Sequence, residues 1–114
     1  MAISLTPVTV SAPINNARVD ADALQFAQRH NLVEYLNAAV QLAVRHFTPI
    51  EPIWVELMID PEGDWDKLVL NVVVVGTGQS VMARDDAFGV DFIAAIPPDG
   101  RYRISLIPDI RSPE

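Results

Sequence analysis

The 114-residue chain contains no cysteine, which excludes disulfides, thiolate catalysis and thiolate metal sites. It is also poor in basic residues: eight Lys and Arg stand against fifteen Asp and Glu, so the formal net charge is −7. Nucleic-acid affinity depends largely on clustered Lys and Arg, so this balance argues against binding led by phosphate contacts. We therefore expect no nucleic-acid partner.

Long hydrophobic runs are missing as well. No apolar stretch approaches the roughly 20 residues of a membrane helix, and the N-terminus lacks the basic and apolar regions of a secretory signal. We expect no membrane partner and a cytoplasmic location, which the absence of cysteine fits. Half of the residues are hydrophobic and a fifth are charged, a globular composition. A chain of this length supports one core, so we expect a single domain over 1–114.

The N-terminal part predicts an edge strand or arm within residues 1–18, followed by a helix. Residues 3–10 alternate loosely around a proline, which is tolerated only at sheet edges, and a turn follows them. Asp20 or Asp22 can cap a first helix that ends around His30.

A second helix is the clearest signal in the chain. Asn31 can cap it, and Glu34 favours the positive end of the helix dipole. Pro49 and Pro52 end it. An apolar stripe at helical spacing follows its length: Leu32, Leu36, Val40, Ala43 and Phe47.

The second half predicts the order β-β-α-β. Strands over 53–59 and 68–75 are close enough for an antiparallel hairpin, and the second has the apolar run of an interior strand. Ser80 can cap a helix that continues to about Ala95 and contains Gly89, and a last strand ends at Pro108. We expect an α+β fold with two N-terminal helices and a small mixed sheet, whose final strands form a parallel crossover.

One face of the predicted hairpin is unexpectedly apolar. It carries Trp54 and Met58 from one strand and Val69, Val73 and Val75 from the next, without the polar alternation of a wet face. Either helices or the N-terminal segment cover it, or it is an interface with a second copy or another protein. We take Trp54, Met58 and Val73 as candidate partner-binding residues.

The hairpin connection carries the densest charge in the chain. Asp60, Glu62, Asp64 and Asp66 supply −4 of the net −7. Alternate acids are typical of a calcium loop, but the glycine of such a loop is out of place, and no metal is expected. The simplest interpretation is a solvated turn, and we expect these four acids to steer a basic partner.

A glycine turn gives an alternative function. Gly76-Thr-Gly78 lies between a strand and a helix, where phosphate-binding loops occur. The third position of the nucleotide fingerprint is Val81, and a Walker lysine is missing. The alternative to a protein-binding function is therefore a small-molecule or nucleotide-binding domain that uses residues 76–78.

Catalytic signals are sparse. His30 and His46 have no carboxylate at ligand spacing, so a zinc site is disfavoured. Asp85, Asp86 and Asp91 are either a magnesium-binding acid cluster or a wet helix face. No catalytic constellation is recognisable, so the sequence favours neither an enzyme nor a cofactor.

Three short strings carry a resemblance: Asp60-Pro-Glu62, Asp86-Ala-Phe88, and the segment 103–110. With them, residues 20–110 resemble a loose group of small, uncharacterised bacterial α+β proteins. Genes of this group often lie beside toxin–antitoxin genes, so the resemblance implies an accessory or antitoxin-like role. It assigns no catalytic residue. We therefore expect a small acidic protein that binds another protein, with self-association as a homodimer included, through the apolar sheet face and the acidic hairpin loop.

Overall fold

The structure is a computed structural model that describes residues 14–63 and 65–112. The expected α+β class with a mixed sheet is confirmed. In chain order the elements are β1 (Ala17–Val19), α1 (Ala21–Arg29), α2 (Val33–Phe47), β2 (Ile53–Met58), β3 (Lys67–Val75), α3 (Gly78–Ala95), α4 (Pro98–Arg101) and β4 (Ile104–Arg111).

The four strands form one sheet in the order β1-β2-β3-β4. β2 and β3 pair antiparallel, as the hairpin pattern predicts, and β3 and β4 pair parallel across α3. β1 pairs parallel to β2. β3 is therefore an interior strand, which explains its nearly continuous apolar sequence.

The predicted element order needs two corrections. The strand expected over residues 3–10 lies outside the described residues, whereas a short strand, β1, follows a turn at Asn16, whose φ is 70°. Three residues are too few to show alternation. The turn expected at residues 97–100 contains the short helix α4, with Pro98 at its first position, where proline is favoured.

The link between α1 and α2 also differs from expectation. α1 ends before His30, as predicted. Asn31 does not cap α2, because it adopts a left-handed conformation with φ 58°, and Leu32 precedes the first helical residue without a side-chain cap. Asparagine tolerates this conformation better than most residues, so Asn31 forms the turn that links the two helices.

β4 continues beyond Pro108, where the sequence predicts its end. The carbonyls of Arg103 and Arg111 accept bonds from the backbone N–H groups of Leu68 (2.7 Å) and Gly76 (3.0 Å) on the β3 side. Bonding alternates along a strand, so even-numbered residues direct their backbone groups away from β3. Pro108 has no N–H group, but because its backbone points away from β3, no hydrogen bond to β3 is lost.

The core lies between one face of the sheet and the three long helices. The predicted stripe of α2 is buried throughout: Leu32, Leu36, Val40, Ala43 and Phe47. The sheet contributes alternate residues, chiefly Ile53, Val55, Leu68, Leu70, Val72, Val74 and Ile104. None of the helices in the described part of the chain is both long and apolar enough to cross a membrane.

Candidate functional site

The face of the sheet opposite the core carries the apolar residues that the sequence predicts for partner binding. On β2, Ile53 and Val55 are buried in the core, whereas Trp54 and Met58 are exposed on the other side. Ile107 on β4 shares this side, and the three exposed side chains retain 43–49% of their accessible area. Within the described ranges, the helices that enter the core pack on the opposite face. We call this second side the open face.

The register arranges the open face in rows across the strands. Trp54, Asn71 and Ile107 form a central row, because each is the pairing partner of the next. Val69 lies beside Glu56 and is almost fully buried among its neighbours.

Val73, one of the predicted contact residues, is only 9% exposed. It therefore offers less area to a partner than Ile107 does. Ile107 was not predicted, because its position beside Asn71 depends on the register between β3 and β4.

Polar and charged side chains lie among the apolar residues as well as beside them, since Asn71 is in the central row and Glu56 alternates with Trp54 on β2. The amide of Asn71 donates to Glu56 Oε2 at 2.7 Å and to the Trp54 carbonyl at 3.1 Å, which fixes the middle of the face. At one end Arg111 Nη2 lies 2.9 Å from Asp109 Oδ2. This hydrogen bond holds the pKa of the Asp109 carboxyl below its usual value.

The acidic loop, residues 60–66, joins β2 to β3 next to Met58. The Asp60 carboxylate accepts bonds from the backbone N–H groups of Glu62 and Trp65, each at 3.1 Å. Asp66 Oδ1 accepts the backbone N–H of Asp60 at 2.8 Å. Two of the four predicted acids therefore organise the turn, while Glu62 is exposed. Asp64 lies outside the described residues.

The glycine turn is built as a helix cap. Thr77, not Ser80, caps α3: Thr77 Oγ1 accepts the Ser80 N–H and Ser80 Oγ accepts the Thr77 N–H, both at 3.1 Å. A Cβ at Gly76 would lie 2.9 Å from Ser80 Oγ, so the cap itself requires a small residue there. Two amides that an anion would use are thus already bonded, although the nucleotide-binding alternative remains a prediction.

A shallow groove lies elsewhere. It has a volume of about 400 Å³ and is lined by Asn16, Val44 and residues 48–52, with Glu51 as its titratable group. Residues 76–78 are not part of its lining. The groove therefore does not add to the case for a ligand at the glycine turn.

The candidate catalytic residues do not converge. Asp91 pairs with His46 across α2 and α3, with 2.7 Å between Oδ2 and Nε2, a contact that sequence spacing did not indicate. Asp85 and Asp86 are exposed, and His30 packs beside the Phe26 ring. In residues 14–63 and 65–112, no group of three or more His, Asp or Glu side chains is placed to hold a metal.

Comparison with known proteins adds no relative. No protein family, curated protein or solved structure matches this chain. The open face and the acidic loop are therefore the features of the chain that indicate a function.

Proposed function

We propose that this protein is a protein-binding domain that docks a basic partner protein on its open face. The exposed row that includes Trp54 and Ile107, together with Met58, supports this most strongly. Aromatic and Met side chains are enriched in the cores of protein interfaces.

The dimensions of the sheet are compatible with a small specific interface. Four strands about 4.8 Å apart, the longest about 30 Å in length, give a face of roughly 400–500 Å² before side-chain relief is counted. Specific interfaces usually bury about 800 Å² on each partner, so the open face supplies roughly half of this area and its border has to supply the rest. Trp54 and Ile107 would then be the residues whose loss weakens binding most.

The acidic loop supports a basic partner. Glu62 is exposed at the end of the face that contains Met58, and the loop carries more than half of the net charge. Charge placed at the border of an interface mainly raises the association rate, and salt weakens this effect. An antitoxin-like role fits the same chemistry, since an RNA-targeting toxin is a basic protein.

The partner can be identified with variants matched by exposure. We expect the wild type and Tyr102→Gln, an exposed residue off this face, to retain the same protein from native lysate. Trp54→Ser and Ile107→Thr should lose it. The retained protein is then purified, and its dissociation constant is measured against each folded variant by calorimetry. We expect each open-face change to weaken binding by on the order of tenfold or more.

Two outcomes contradict the proposal. One is a purified partner whose affinity is unchanged by Trp54→Ser and Ile107→Thr. The other is an association rate that does not change with ionic strength, or is the same for Glu62→Gln and wild type, which removes the steering role of the loop.

A further inference from the structure

A second apolar surface lies on α3, away from the open face. Met82, Val90 and Ile93 retain 62–68% of their accessible area, more than any exposed apolar residue on the open face. Met82, Asp86, Gly89 and Ile93 follow one another at spacings of four, three and four residues, so they lie along one line of the helix. We call these four residues the α3 seam; Val90 borders it.

The seam also contains a glycine, Gly89, in the interior of the helix. Glycine is a poor helix former, and this one lies in the interior of an 18-residue helix. A Cβ built on Gly89 meets nothing within 4 Å, so the fold of the single chain does not require glycine there. Gly100, in contrast, is enclosed by Tyr35 and Ile96. A glycine on an exposed apolar seam permits the close approach of another backbone.

The charges around the seam fit a second copy of the same helix. Arg101 Nη1 donates to the Ile93 carbonyl at 2.9 Å, which places a cation at the C-terminal end of the seam. Asp85 and Asp86 lie in its N-terminal half. In an antiparallel pair, the cation of each copy lies beside the acidic half of the other.

We propose that two copies of this protein associate through antiparallel packing of their α3 seams. A two-fold axis between Asp86 and Gly89 sets Met82 of one copy opposite Ile93 of the other. The same axis sets Asp86 opposite Gly89, where the missing side chain leaves room for the carboxylate. This inference does not depend on the proposed function, since it uses a different surface and different residues.

The seam is short, so the association is weak. Met82 and Ile93 are separated by eleven residues, or about 16 Å along the helix axis. A contact of this length falls at the low end of specific interfaces, which suits a transient or partner-dependent dimer. Sedimentation equilibrium of the full chain should therefore cover about 1 μM to 1 mM, with a dimer appearing at the upper end.

The Gly89→Ala variant distinguishes the stability of the single chain from the association of two chains. Alanine favours helix, so we expect the melting temperature of the dilute protein to rise. The added methyl group lies in the proposed contact, so the dimer dissociation constant should increase on the order of tenfold. Gly78→Ala is the matched control, since its Cβ is equally unhindered but lies one turn before Met82, beyond the end of the proposed contact. It should leave the dissociation constant unchanged.

The absence of cysteine permits a test of orientation. An equimolar mixture of Met82→Cys and Ile93→Cys should form a disulfide-linked heterodimer on mild oxidation, whereas Met82→Cys alone should not cross-link. Cross-linking of Met82→Cys to itself would show a parallel pair and overturn the proposal.

Two further results would also overturn it. One is a protein that stays monomeric to 1 mM. The other is a dimer that is insensitive to Gly89→Ala and disrupted by Trp54→Ser, which would assign self-association to the open face.

Discussion

At the C-terminal end of α2, Thr48 has a left-handed backbone with φ 42° and ψ 63°. This conformation is strained for a side chain branched at Cβ, and glycine adopts it freely. We expect the free energy of unfolding of the Thr48→Gly variant to be about 1 kcal/mol higher than that of Thr48→Ala, as measured by urea denaturation. Both variants lack the hydroxyl that donates to the Phe47 carbonyl, so their difference reports the strain of a Cβ at this position, reduced by the greater freedom of glycine in the unfolded chain. A Thr48→Ala variant more stable than Thr48→Gly would show that a Cβ is not strained at this position.

Gly100 is required for packing. A Cβ there would lie 2.8 Å from Tyr35 Cδ2 and 2.9 Å from Ile96 Cγ2. Gly100→Ala should therefore lower the free energy of unfolding by about 1–3 kcal/mol, as overpacked sites do. Gly78→Ala, which meets nothing within 4 Å, provides the control in the same denaturation series and should change stability little.

The Asp109–Arg111 pair gives a prediction about pH. The Arg111 guanidinium holds the pKa of Asp109 below its ordinary value of 3.8, so Arg111→Gln should raise that pKa. Because the folded-state pKa is the lower one, the pair stabilises the fold above pH 3.8 and loses this effect as pH falls through the folded value. The pair is exposed, so the effect on stability is small and the NMR titration of the Asp109 carboxyl is the measurement. An unchanged titration would contradict the prediction.

Among the connections, the acidic loop combines structure and charge. The carboxylate of Asp60 holds two backbone N–H groups, whereas the exposed Glu62 side chain contributes charge. Asp60→Ala should lower the free energy of unfolding by about 1–2 kcal/mol and speed hydrogen exchange at the Glu62 and Trp65 amides. Glu62→Gln should change neither. If the two variants behave alike, Asp60 does not organise the turn.

The elements recovered from the sequence are those whose burial is set by regular periodicity. The apolar stripe of α2 and the alternation of β2 indicate which side of each element faces the core, and in the structure these sides are buried. β1 was not predicted, and β4 was predicted to end too early, because pairing with a neighbouring strand decides both. The cap of α3 shows a similar limit, since Thr77 and Ser80 are both good capping residues.

The position of the candidate residues on the sheet was predictable in part for the same reason. The alternation of β2 alone places Trp54 and Met58 opposite the core. The position of Ile107 required the register between β3 and β4. The α3 seam was missed because this helix is apolar on its exposed side as well as its buried side, so composition alone does not distinguish the two.

For the molecule as a whole, the arrangement in layers separates folding from binding. Helices and sheet bury one apolar interior, while the open face and the α3 seam leave large side chains exposed on different layers. The net charge of −7 favours a basic partner and opposes the association of two copies, so the contact between two α3 seams must be stronger than this repulsion. The acidic loop extends beyond one end of the open face, and Arg101 places a cation at the C-terminal end of the α3 seam.

Adjacent residues of β2 test this separation directly. Val55 is fully buried, so Val55→Thr places a hydroxyl in the core and should lower the free energy of unfolding by about 1–3 kcal/mol. Trp54 retains 43% of its accessible area on the open face, and threonine favours strands, so Trp54→Thr should lower it less than Val55→Thr does. Urea denaturation of both variants makes the comparison. If Trp54→Thr were as destabilising as Val55→Thr, Trp54 would belong to the folding core, and the open face would be covered within the same chain.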